Sequence, residues 1–146
     1  MKAVILAGGL GKRLRPFTKT IPKPMLPVGE KSVLEIQIER LNKAGCKEII
    51  LATNYKSDIF ESFFKNKNLD GTKIIINKEE QRLGTAGPIA ILKERLDEPF
   101  IVMNGDILTL IDFSKFYDFG IKKNSSLTIA VKKEITPFAF GNIYFD

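Results

Sequence analysis

The 146-residue sequence contains no histidine and a single cysteine, Cys46. The missing histidine excludes Ser-His-Asp chemistry and His-rich zinc sites. One cysteine excludes an internal disulfide and leaves the cytoplasm as the expected compartment. Cys46 follows a predicted helix end and reads as a small buried thiol, not a nucleophile. No apolar stretch approaches the roughly 18 residues of a membrane span, so no membrane partner is expected. The amino terminus enters an apolar strand at once, and no targeting leader is expected. Acidic residues are also absent from the first part of the chain, where the first is Glu30.

Six basic residues precede Glu30: Lys2, Lys12, Arg13, Arg15, Lys19 and Lys23. The remaining 17 basic residues balance the 17 acidic ones, so the whole net charge of +6 sits in and around one segment. A nucleic-acid binder more often spreads its cations along a face or groove, so no nucleic-acid partner is expected. Charge focused on one loop suits a compact anion such as a nucleoside triphosphate. The same segment carries Gly8, Gly9 and Gly11 directly after the apolar run Ala3–Ala7. Glycine lets backbone N–H groups approach a phosphate because no Cβ intervenes. A strand followed by a glycine- and cation-rich loop is a phosphate cradle on physical grounds.

Strand and helix patterns then alternate. Ser32 to Glu35 has the form of a capping box, opening a helix that runs to about Ala44, with Val33, Ile36 and Arg40 alternating with Leu34, Ile38 and Leu41 to leave one broad apolar face, and Gly45 as its stop. Strands are expected at Glu48–Thr53, Lys73–Ile76, Phe100–Met103 and Leu127–Val131, with a further start at Ile143–Phe145. Helices are expected at Asp58–Lys65, Ala86–Leu96 and Asp112–Lys123. This order predicts an α/β fold, a Rossmann-like, doubly wound, mainly parallel sheet with helices on both faces. Residues 1–146 read as one incomplete domain, a piece of a longer protein truncated at its carboxyl end. A sheet left open there can bury its edge against a second copy, which makes a homo-oligomer an admissible assembly.

Two familiar phosphate motifs fail. A P-loop needs Gly-x4-Gly-Lys-Ser/Thr, and Gly11-Lys12 would put Leu6 and Arg13 at the two ends. A dinucleotide fingerprint through Gly9 and Gly11 would require glycine at Leu14. What does fit is Leu6-Ala7-Gly8-Gly9-x-Gly11-x-Arg13-Leu14-x-Pro16-x-Thr18, followed by Pro22-Lys23-Pro24-Met25-Leu26-Pro27-Val28. This pattern resembles the sugar-1-phosphate nucleotidyltransferases (nucleoside-diphosphate-sugar pyrophosphorylases). The likeness continues through Gly84-Thr85-Ala86-Gly87 and Asn104-Gly105-Asp106. The chain therefore looks like the amino-terminal part of such a catalytic domain.

The resemblance implies transfer of a nucleotidyl group from a nucleoside triphosphate to a sugar 1-phosphate, releasing pyrophosphate, with Mg2+ as cofactor. A phosphate oxygen is already ionised at neutral pH, so the protein needs no nucleophile of its own. Cations, glycines and a metal suffice, consistent with the absence of histidine. By the resemblance Arg13 and Lys23 are the catalytic cations. Leu6, Ala7, Gly8, Gly9, Gly11, Glu79, Gly84, Thr85, Asn104 and Gly105 would line the substrate site, and Asp106 would bind the metal. Lys12, Arg15 and Lys19 are expected to be electrostatic background. Pro24 disfavours helical geometry at Lys23, so an extended segment is expected there. Thr85 could alternatively serve only as a helix cap.

Glu79 matches a position at which uridylyl- and thymidylyl-transferring members tend to carry glutamine. A carboxylate accepts from guanine N1–H and the N2 amino group, which favours GTP. The surrounding run resembles mannose-1-phosphate guanylyltransferases. The family's Glu-Lys-Pro sugar-phosphate segment and second metal-binding aspartate would both lie beyond Asp146, so the 146-residue chain alone is expected to be weakly active or inactive. Two further readings stay open: a non-catalytic nucleotide-binding regulatory domain, and a nucleotidyltransferase acting on a non-sugar phosphate such as phosphocholine.

Overall fold

The computed structural model describes residues 1–65, 67, 71–81 and 83–134. Its centre is a four-stranded parallel sheet of β1 (Lys2–Leu6), β4 (Glu48–Thr53), β5 (Lys73–Lys78) and β6 (Phe100–Asn104), in the spatial order β5-β4-β1-β6. A two-stranded antiparallel ribbon, β2 (Pro27–Val28) and β3 (Lys31–Ser32), precedes α1 (Val33–Lys43). Three more helices follow: α2 (Ser57–Phe64), α3 (Gly87–Ile91) and α4 (Phe113–Lys122).

The two inner strands read as unbroken apolar runs because both of their faces are covered. Ala3, Val4 and Ile5 of β1 and Ile49, Ile50, Leu51 and Ala52 of β4 are fully buried. The two-residue alternation of a strand divides them. Ala3, Ile5, Ile49 and Leu51 face a core completed by Leu34, Ile38 and Leu41 of α1, Phe60 and Phe64 of α2, and Phe113 of α4. Val4, Ile50 and Ala52 face a smaller cluster closed by Leu92, with Leu6, Ile75, Leu96 and Phe100 packed around it. Helices on both faces make the sheet doubly wound, as expected. Replacing the fully buried Phe60 by alanine would remove about 3–5 kcal/mol from the larger core.

Local signals account for the helix ends. Ser32 Oγ accepts from Glu35 N at 3.2 Å and Glu35 Oε2 accepts from Ser32 N at 2.9 Å, completing the capping box. Gly45, at φ 82°, stops α1. Asp112 caps α4 by accepting from Lys115 N at 3.0 Å. Cys46 is buried, its Sγ donates to Glu48 O at 3.2 Å, and burial raises its thiol pKa, as expected of a structural cysteine.

Three expectations are corrected. Leu127–Val131 is not a strand, and Leu127, Ile129 and Val131 are exposed. An alternating apolar pattern does not form a strand without a partner to complete its ladder, and among the described residues none pairs with it. The helix expected at Ala86–Leu96 is split into α3 and a 3-10 turn at Lys93–Arg95, where Leu96 N bonds the carbonyls of both Leu92 and Lys93. A tightened last turn of this kind is common at helix ends. Lys23 is not extended but opens a 3-10 turn, Lys23–Met25. Proline is tolerated in the first turn, where its missing N–H has no partner to lose, and Met25 N closes the turn on Pro22 O at 2.9 Å. The expectation for residues 143–145 lies outside the described residues.

Candidate active site

In a parallel sheet the carboxyl ends of all strands share one edge, and ligands bind where the strand order reverses. Here β1 leads to β4 on one side and has β6 on the other, so the reversal lies at β1. A cleft of about 570 Å³ opens at this edge. All four strands contribute to its lining at or just past their ends: Leu6 and Ala7 from β1, Ala52 and Asn54 from β4, Glu79 after β5, and Asn104 and Asp106 from β6. The Gly8–Lys12 loop, Lys23, Pro24, Leu83–Thr85 and Pro88 complete it.

The glycine-rich loop is held by its own neighbours. Gly11 has φ 59°, a left-handed conformation that favours glycine, and a Cβ there would lie 2.7 Å from Thr18 Cγ2. Thr18 is buried, and its Oγ1 donates to Gly11 O at 2.9 Å. Tyr55, just past β4, donates its hydroxyl to Thr18 O at 3.2 Å. The loop is thereby pinned to the centre of the sheet edge.

The Asp106 turn is registered against the same loop. Gly105 N donates to Leu6 O at 2.9 Å, continuing the β1–β6 pairing by one step. A Cβ on Gly105 would approach Pro24 Cγ at 3.0 Å and Leu6 O at 3.2 Å. Close packing against Pro24 fixes the neighbouring Lys23 beside the turn, and Lys23 Nζ donates to Asp106 Oδ2 in an ion pair. Both side chains remain about one third exposed. Asp106 thus already faces a cation, the Lys23 ammonium. One carboxylate that leaves its remaining ligands to phosphate oxygens and water is a donor set that suits Mg2+. Among the described residues no group of three or more His, Cys, Asp or Glu could hold a metal without such help.

The opposite wall differs. Glu79 is buried, its N donates to Thr53 O at 2.7 Å, and its own carbonyl accepts from Asn54 Nδ2 at 2.8 Å. Burial pushes the Glu79 carboxyl above its ordinary range, opposed by a hydrogen bond from the Leu83 backbone. Gly84 and Thr85 lie on the same wall. Thr85 does not cap α3: Ala86 holds the N-cap position and no side chain bonds there.

Of the residues singled out in the sequence, the cleft lining gathers Leu6, Ala7, Gly8, Gly9, Gly11, Lys23, Glu79, Gly84, Thr85, Asn104 and Asp106. Gly105 is buried beneath it. Arg13 stands exposed on the 3-10 turn Lys12–Leu14 and is not part of the lining, whereas its neighbour Lys12 is. Sequence reasoning passed over Asn54 and Tyr55, and Thr18 stood in the family pattern without a role. Asn54 was legible, since it directly follows a predicted strand on the ligand edge. Thr18 acts within its own loop, on Gly11, whereas Tyr55 acts through a contact between distant segments that leaves no local pattern.

This geometry can be set beside known proteins. Residues 2–146 match the family model of the nucleotidyl transferases. The chain belongs to the nucleotidyl transferase family. It is 36% identical over 151 residues to a probable mannose-1-phosphate guanylyltransferase 1 of Oryza sativa subsp. japonica, covering 100% of this chain and 42% of that protein. It is 40% identical to a mannose-1-phosphate guanyltransferase of Yarrowia lipolytica, covering 98% of this chain and 40% of that one. The crystal structure of HddC from Yersinia pseudotuberculosis complexed with GMP-PN superposes with a TM-score of 0.73 at 36% identity, over 82% of this chain and 54% of HddC. The chain therefore spans about two fifths of the length of these curated relatives. Family membership and fold agree with the sequence reading. No helix among the described residues is long and apolar enough to cross a membrane.

Proposed function

We propose that this chain carries the nucleotide site of a sugar-1-phosphate nucleotidyltransferase that uses GTP. The observation that carries the reading is the division of one cleft into two walls: Gly8–Lys12, Lys23 and Asp106 on one, buried Glu79 with Gly84 and Thr85 on the other. The first wall suits a triphosphate and the second a base whose edge offers two donors. Relatives named as mannose-1-phosphate guanylyltransferases, and a similar structure complexed with GMP-PN, favour guanine and a sugar phosphate acceptor.

In the proposed reaction an oxygen of the sugar 1-phosphate bonds to the α-phosphorus of GTP. The bond from that phosphorus to the α–β bridging oxygen breaks, and pyrophosphate leaves with the electron pair. The backbone N–H groups of the glycine loop approach the phosphates. Lys12 and Lys23 offset the charge that grows on the leaving pyrophosphate, and Arg13, a planar fork exposed on the adjoining turn, would have to turn inward to join them. Asp106 would hold Mg2+, which when bound offsets charge on the phosphate oxygens. Glu79 accepts from guanine N1–H and N2–H2. The cytoplasm is the proposed compartment, in keeping with a lone thiol.

Melting of the chain with GTP, UTP, dTTP or CTP, each with Mg2+, tests the base assignment. GTP is expected to give the largest rise. A larger rise with UTP or dTTP removes Glu79 as a guanine reader. Pyrophosphate release on adding mannose 1-phosphate, measured on the 146-residue chain and on a form extended to the relatives' length, tests the transfer itself.

A further inference from the structure

The turn that carries Asp106 is gripped from beneath by a side chain of α1. Gln37 is buried at 2% exposure. Its Nε2 donates to Asn104 O at 2.9 Å and to Ile107 O at 2.6 Å. These two carbonyls bracket Gly105 and Asp106. The turn's own bond, from Ile107 N to Asn104 O, is long at 3.4 Å. The other supports, Leu6 O and the packing of Pro24, both act at Gly105.

The remaining end of the Gln37 amide argues that packing is not its purpose. Gln37 Oε1 is buried and meets no hydrogen-bond donor among the described residues. A buried acceptor without a donor costs stability, so an apolar side chain of similar length would serve α1 better as core. The flanking Leu34, Ile38 and Leu41 show what that face otherwise holds. What the amide provides and a methionine cannot is a pair of donors aimed at both ends of one turn. A carboxylate could not replace it, because it would face two carbonyl oxygens with acceptors only.

We propose that Gln37 is a positioning residue of the nucleotide site, fixing the Asn104–Ile107 turn so that the Asp106 carboxylate stays aligned with Lys23 and with a cation held between it and the nucleotide phosphates. The inference rests on the reading of Asp106 as the metal-binding carboxylate. Groups that orient a metal ligand from behind typically change metal affinity about 10- to 100-fold when removed.

The test is a Mn2+ titration followed by electron paramagnetic resonance, with and without GTP, on the parent chain, Gln37→Met, Gln37→Leu and Asp106→Asn, with melting recorded for each. Asp106→Asn is expected to abolish the GTP-dependent Mn2+ site. Gln37→Met is expected to weaken it about 10-fold in a chain that still unfolds cooperatively, with melting lowered by the donor that Asn104 O and Ile107 O lose. Amide hydrogen exchange at Gly105 and Ile107 is expected to accelerate in both Gln37 variants, a readout that needs no bound ligand. Parental Mn2+ affinity in a folded Gln37 variant, or parental exchange at those two amides, overturns the inference. Parental Mn2+ affinity in Asp106→Asn defeats the metal reading instead, and the two failures are told apart by which variant shows them.

Discussion

The two walls of the cleft are built on different principles. The wall formed by the glycine loop and the Asp106 turn is charged, partly exposed and tied down by side-chain bonds, one within the loop segment, Thr18 to Gly11, and others from distant elements, Tyr55 to Thr18 and Gln37 to Asn104 and Ile107. The wall around Glu79 has one buried carboxyl, backbone pairing to β4 and a short, uncapped helix start. A compact polyphosphate needs cations held in register, because electrostatic stabilisation depends on preorganisation. A planar base needs only a few correctly placed acceptors in a dry slot. On the proposed reading the difference separates strength of binding from choice of ligand.

The largest expected effect falls on the charged wall. Lys23→Met removes the cation opposite Asp106, and a charge-assisted hydrogen bond contributes about 1.5–3 kcal/mol, so GTP affinity measured by calorimetry with Mg2+ should fall about 10- to 100-fold. An unchanged affinity would mean that Lys23 only neutralises Asp106. Next comes the loop's geometry. Gly11→Ala forces a side chain into a left-handed position and against Thr18, which together should cost about 2–4 kcal/mol of stability, read from denaturant unfolding. Because that contact belongs to the charged wall, GTP binding should weaken as well.

On the other wall, Glu79→Gln should change selectivity more than strength. Exchanging an acceptor-only group for an amide should shift the ratio of GTP to UTP affinity about 10-fold toward UTP. An unaltered ratio would separate Glu79 from base choice. The same variant carries a pH signature. The folded-state pKa of Glu79 lies above its ordinary 4.5, so the native chain holds more protons than the unfolded one just above that pH, and stability falls as pH rises through the window. Glu79→Gln should therefore gain melting temperature relative to the parent as pH rises from about 4 to 7. The smallest effect belongs to Tyr55→Phe, which loses one hydrogen bond to Thr18 O. It should cost about 0.5–1.5 kcal/mol and loosen the glycine loop without altering base preference.

Much of the fold was legible because its signals are local. The capping box at Ser32–Glu35, the stop at Gly45 and the apolar runs of β1 and β4 depend on neighbours a few residues away. Leu127–Val131 shows where that logic fails: alternation describes a strand's faces but not its partner. Lys23 shows another limit, since the proline rule that argued for an extended backbone gave way to the turn that Met25 N closes. At the site, Gly11, Lys23, Glu79 and Asp106 stood out by residue type and pattern. Gln37 did not, although a polar residue among Leu34, Ile38 and Leu41 was a visible irregularity.

The sequence by itself determined the alternation of strands and helices, the placement of all excess positive charge before Glu30, and the pattern that marks the family. Each is carried by residue type and short spacing. Only the tertiary structure decided that Lys12 lines the cleft while Arg13 stands outside it, that Lys23 pairs with Asp106, and that Gln37 grips the turn between Asn104 and Ile107. Those outcomes depend on contacts between segments dozens of residues apart, which a parallel sheet brings to one edge only once every strand has found its neighbour.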